Sequence, residues 1–167
     1  MRENSKSKKY IALAALLCAA SIVAMLIATN IHLKPIEGDF IPPEFEAEAV
    51  EGEPDVSKEL GFIEPYAEGM TFHAGVCGEL NIYGDTADIY FTNKKENEVW
   101  LMLRITDEQG KALAQTGILR PGEYVKTIKF QNVPANGQRV IYKIMAYEPE
   151  TYFSMGYFKI KTLARNN

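Results

Sequence analysis

From Tyr10 to Ile31 the chain carries no charged residue, and an apolar run of that length reads as a helix crossing a bilayer. Residues 11–28 alone give about 27 Å of helix at the usual rise, and Tyr10 with residues 29–31 completes the crossing. Arg2, Lys6, Lys8 and Lys9 precede the run and only Lys34 follows it closely. The positive-inside rule therefore keeps residues 1–9 as a cytoplasmic basic tail and exports everything beyond the signal-anchor helix at 10–31. A cleaved secretory signal is the competing reading, since its basic start and apolar middle are the same. Its cleavage site fits poorly: for a cut after Ala28 the small residue needed three positions from the cut is Leu26, and the Ala12-Leu13-Ala14 triplet comes too early in the run. Lipid attachment at Cys18 fits less well again, because Leu17 stands where a small residue belongs.

Composition changes abruptly after this run. Between Glu37 and Glu68 eleven acids face one base, Lys58, and Pro35, Pro42, Pro43, Pro54 and Pro65 bar a long helix. Few large apolar residues occur there, so residues 32–69 read as a disordered acidic, proline-containing stalk extended by its own charge. From Met70 to Asn167 ten acids balance twelve bases, which gives no electrostatic footprint for nucleic acid. This stretch is long enough for one compact core and too short for two.

Residues 70–167 alternate in hydropathy over short runs. Val99, Leu101, Leu103 and Ile105 fall on one side of a strand, with Trp100, Met102, Arg104 and Thr106 on the other. Similar runs occupy 79–83, 87–92, 124–131, 139–147 and 152–163, with a short one at 111–115. Turn chemistry separates them at 84–85, 94–97, 107–110, 120–122, 134–137 and 148–150. About seven strands at such intervals predict an all-β, immunoglobulin-like antiparallel sandwich, with 70–76 as an uncertain extra first strand.

Residues 116–124, Thr-Gly-Ile-Leu-Arg-Pro-Gly-Glu-Tyr, form a distinctive turn. Pro121 presets it and Gly122 permits a positive φ, so that Leu119 and Tyr124 enter successive strands on opposite sheets. This motif, with the anchor and acidic stalk before it, resembles a group of small membrane-anchored immunoglobulin-like proteins of Gram-positive bacteria, some of them near conjugative elements. The resemblance implies an extracytoplasmic, non-enzymatic domain and assigns no ligand to any residue.

Candidates for chemistry are few. His73, Cys77 and Glu79 lie close in sequence but lack the second ligand pair of a metal site, so neither metal nor cofactor is expected. Cys77 is the only cysteine after the apolar run, which leaves it a free thiol or one half of an intermolecular bridge. His73 has no nucleophile signature near it. Asp85 with Asp88, and Glu148 with Glu150, are carboxylate pairs that turn formation explains more simply. Aromatic residues are the better candidates for partner binding: Trp100, Tyr147, Tyr152 and Tyr157, the last sharing the polar side of its strand with Lys159 and Lys161. The chain thus reads as a single-pass membrane protein whose outer domain binds a protein or cell-wall partner. A structural subunit of a conjugation or secretion assembly is the alternative, and a wall-polymer hydrolase a weaker one. Oligomeric state stays open.

Overall fold

The computed structural model describes residues 10, 16–18, 20–21, 25, 41–65, 69 and 71–167. It divides into two units, Met1–Ile41 and Pro42–Asn167. In the first, the described positions Tyr10, Leu16, Leu17, Cys18, Ala20, Ser21 and Met25 are helical, and Ser21 Oγ donates to the Cys18 carbonyl at 2.8 Å. No helix among the described residues is long and apolar enough to cross a membrane. The basic tail and most of the expected anchor lie outside the described residues, as do residues 32–40 and 66–68 of the expected stalk.

The second unit is all-β. Its strands are β1 (Val50–Glu51), β2 (Phe62–Ile63), β3 (Ala74–Cys77), β4 (Leu80–Tyr83), β5 (Thr86–Asn93), β6 (Trp100–Thr106), β7 (Ala112–Gln115), β8 (Glu123–Lys129), β9 (Arg139–Tyr147) and β10 (Ser154–Asn166). A single 3-10 turn at Lys58–Leu60 is the one helical element described in it. The strand order is β1-β8-β5-β4-β10-β9-β6-β7, with β3 paired to β5 and β2 to β3. A two-sheet sandwich of about seven strands in all was the expectation; the described residues instead form one curled sheet of ten strands. The cause is β10. Its first part pairs antiparallel with β9 from Ser154 to Leu163, and its last residues, Ala164 to Asn166, pair parallel with β4, so one strand joins the halves. At the far end β7 curls back onto the chain after β8: the Gln131 N–H donates to the Leu113 carbonyl at 2.9 Å, and Ala114 bridges Phe130.

Alternation builds the core as expected. Leu101, Leu103 and Ile105 of β6 and Val140, Tyr142, Ile144 and Ala146 of β9 all point inward with Ile82, Ile89 and Phe91. Tyr90, at φ 44°, sits where the pairing of β5 with β8 shifts register, and this bulge turns Phe91, Thr92 and Asn93 into three consecutive buried residues. Tyr142 is fully buried, and its hydroxyl has no hydrogen-bond partner among the described residues. Burial, with Cys77 adding to it, drives that phenol well above its ordinary pKa. An orphaned buried hydroxyl is a net cost, so Tyr142→Phe should raise stability by about 1 kcal/mol in a denaturant titration. An unchanged or lowered midpoint would show that the hydroxyl is satisfied.

Candidate functional site

The acidic segment was expected to hang free, and its described part does not. Residues 42–65 belong to the β unit. Glu46 Oε2 accepts the Gly117 N–H at 2.7 Å, the Glu46 N–H donates to the Ile118 carbonyl at 2.9 Å, and the Ile118 N–H donates to the Glu44 carbonyl at 2.9 Å. β1 then adds to β8, with Val50 opposite Tyr124. Lys94 Nζ holds the segment twice more, at 2.9 Å from Glu53 and 2.5 Å from Glu64. Burial works against the Lys94 charge, but hydrogen bonds to Glu64 and Glu53 outweigh it and raise its pKa. Charge repulsion within the segment therefore yields to backbone pairing and to this cation. We call residues 42–53 the strap.

Phe45 of the strap explains where the expected binding aromatics went. Its ring meets Trp100 edge-on at 4.9 Å, Trp100 meets Tyr152 edge-on at 5.2 Å, and the Arg120 guanidinium lies 3.7 Å over Phe45. Trp100, Tyr147, Tyr152 and Phe45 cover Met102, Ile118 and Met145 on the outer side of the sheet. Three of the four expected partner-binding residues are thus brought together, each partly buried against a second small core. Partial burial raises the Tyr147 pKa against the opposing charge of Arg104.

Tyr157 is elsewhere, 56% exposed on the outer side of β10. The pairing register sets Arg104, Lys143 and Lys159 directly side by side on β6, β9 and β10. Lys143 Nζ lies 4.5 Å and Lys159 Nζ 5.6 Å from the centre of the Tyr157 ring. Arg104 Nε donates to Gln115 Oε1 at 2.6 Å. Arg104, Lys143, Lys159 and Lys161 have no carboxylate partner among the described residues. Like charges directly opposite one another on neighbouring strands are destabilising.

The other edge of β10 is open. The Ala164 N–H donates to the Gln138 carbonyl at 2.9 Å, and the Ala164 carbonyl accepts the Gly137 N–H at 2.7 Å, so even-numbered residues turn their backbone groups toward β9. Odd-numbered residues face the opposite way, as Asn167 does when its N–H donates to the Ile82 carbonyl at 2.9 Å. The N–H and C=O groups of Tyr157, Lys159 and Lys161 therefore line an edge that no strand among the described residues occupies. On the inner side of the same stretch Phe158 and Ile160 pack on the core while remaining half-buried, and Phe158 stacks on Phe72 at 5.6 Å.

The remaining candidates are dispersed. His73 is exposed, its N–H donating to Asn97 Oδ1 at 2.8 Å, whereas Cys77 is fully buried four residues on. Burial, with the Asp88 charge adding, pushes the Cys77 thiol up to about 12, and its burial keeps it from a neighbour's cysteine. Glu79 is paired with Arg165 at 2.6 Å. Among the described residues no three His, Cys, Asp or Glu side chains converge as metal ligands. Asp85 pairs with Lys129 at 3.1 Å, and Glu148 accepts the Thr151 hydroxyl at 2.5 Å across its own turn. No family model matches the chain, and no curated protein is similar to it.

Gly117 is the point at which strap and sheet come closest: a Cβ there would lie 2.5 Å from the Glu46 nitrogen and 2.6 Å from its Cα. Gly117→Ala should therefore expel the strap, lowering stability by about 1–3 kcal/mol and speeding cleavage after Glu46 and Glu48 by a glutamate-specific protease. Unchanged cleavage would mean that the strap is not held there.

Proposed function

We propose that this chain is a single-pass membrane-anchored protein whose extracytoplasmic β unit binds a partner protein by accepting one of its strands along the free edge of β10. The observation that carries the reading is that edge: the backbone groups of Tyr157, Lys159 and Lys161 point away from β9 and are unpaired by any described strand. Strand addition supplies affinity through main-chain hydrogen bonds and specificity through alternate side chains. The anchored, outward orientation rests on the uncharged run at 10–31 and the bases before it. Leu16, Leu17 and Met25, exposed at helical positions, suit a lipid-facing surface. The resemblance of residues 116–124 to anchored Gram-positive proteins points the same way.

Two measurements test the proposal. Protease added to intact cells with the wall opened should remove an epitope placed after Asn167; a protected epitope would overturn the orientation. A photo-crosslinking residue at the position of Lys161 should give a discrete protein adduct in cells, and Lys159→Pro should abolish it. Lys159 donates nothing to β9, so this proline blocks the free edge while sparing the ladder. An adduct that survives in a Lys159→Pro chain of unchanged β-type circular dichroism would sink the strand-addition reading.

A further inference from the structure

We infer that the strand accepted by β10 comes from a partner protein and alternates acidic with apolar residues, acids outward and apolar residues inward. The inference rests on the edge-binding reading above and adds the chemistry of the occupant.

Residues on an incoming strand continue the rows already laid across the sheet. The position beside Lys159 extends the row Arg104, Lys143, Lys159, and the position two residues away extends the row Thr106, Ile141, Lys161. Both rows end in an outward cation without a carboxylate partner among the described residues, so an acid at each position completes the charge pairing. Positions between them point inward beside Phe158 and Ile160, whose half-burial leaves apolar surface for an apolar side chain to cover. A free polyanion would neutralise the lysines and leave that inner flank wet. A neutral strand would cover the flank and leave the cations stacked. Only the alternating segment meets both needs.

A segment of the same alternating composition lies along a different edge of the fold, with Phe45 there turned to the outer side. Glu44, Phe45, Glu46, Ala47, Glu48 and Ala49 alternate acid with apolar residue, and Phe45 bridges Ile118 in parallel with Arg120 above its ring. That strap is committed to its own sheet through Gly117 and β8, which is why the occupant of β10 is assigned to another protein. Lys159, Lys161 and the bulge between Ser154 and Gly156 act as a filter, blocking indiscriminate strand pairing and admitting an acidic one.

Fluorescence anisotropy on the full-length chain in detergent tests this with labelled peptides of alternating glutamate and valine, alternating lysine and valine, and polyglutamate. The glutamate–valine peptide should bind roughly ten-fold more tightly than the lysine–valine one, and Lys159→Glu with Lys161→Glu should reverse the order. Lys159→Pro should abolish binding of the preferred peptide. Equal binding of both alternating peptides, still sensitive to Lys159→Pro, would overturn the acidic assignment and leave the edge reading intact. Polyglutamate binding as tightly, and unaffected by Lys159→Pro, would overturn both, since charge alone would then suffice. Dimers of the chain by itself, lost in Lys159→Pro, would replace the foreign partner with a second copy. No binding by any peptide would overturn the inference, with crosslinking at the Lys161 position still judging the edge.

Discussion

Asn93 sits fully buried where the ends of several strands converge, and its carboxamide is satisfied on both sides. Its Nδ2 donates to the Val99 and Leu119 carbonyls, each at 2.9 Å, while its Oδ1 accepts Asn97 Nδ2 at 2.6 Å. Asn97 Nδ2 also donates to the His73 carbonyl at 2.6 Å, which ties in the approach to β3, and the Gly122 N–H donates to the Asn93 carbonyl at 2.9 Å. A buried polar group left unpaired costs about 1–3 kcal/mol, so these contacts admit one arrangement of the chain and penalise slippage. Leu119 pairs with Leu101 on the β6 side while Tyr124 pairs with Thr92 on the β5 side, and Asn93 pins the turn between them. Once that crossing is fixed, Gly117 and Ile118 are presented as a seat for the strap.

Much of this was legible from residues alone. The inward set of β6, the turn at Arg120, Pro121 and Gly122 with φ +81° at the glycine, and the outward placement of Tyr157 all follow from period-two alternation and turn chemistry, which are local. What stayed hidden is non-local. Local composition makes residues 44–53 look like a free polyelectrolyte, and only a carbonyl, an amide and a lysine from distant strands convert them into a strap. The same strap sets Phe45 against Trp100, which in turn meets Tyr152, so that these rings are partly buried against one another. Conversely, Arg104, Lys143 and Lys159 each read as an ordinary outward cation. Strand order and register, which no single run encodes, place them in one row. A search for same-parity cations on neighbouring strands would have found the row only after the order β6-β9-β10 was known.

Unpaired strand edges are hazards that β proteins normally close, and the edges of this sheet are handled in different ways. β1 covers β8, the strap covers the stretch at Gly117 and Ile118, and β7 is curled onto the chain beyond β8. At β10 the two lysines and the bulge would suffice as guards. Guarding, however, does not call for Arg104 and Lys143 behind them: cations on inner strands of a sheet do nothing to repel a strand arriving at its edge that Lys159 and Lys161 do not do already. Stacking three like charges across three strands adds a cost in the unbound protein that protection leaves unexplained. In the strand addition we propose, a carboxylate beside Lys159 removes part of that cost by acting on the whole row. On that proposal the relief falls at the edge of β10, and this coupling makes the row part of the edge rather than a separate surface.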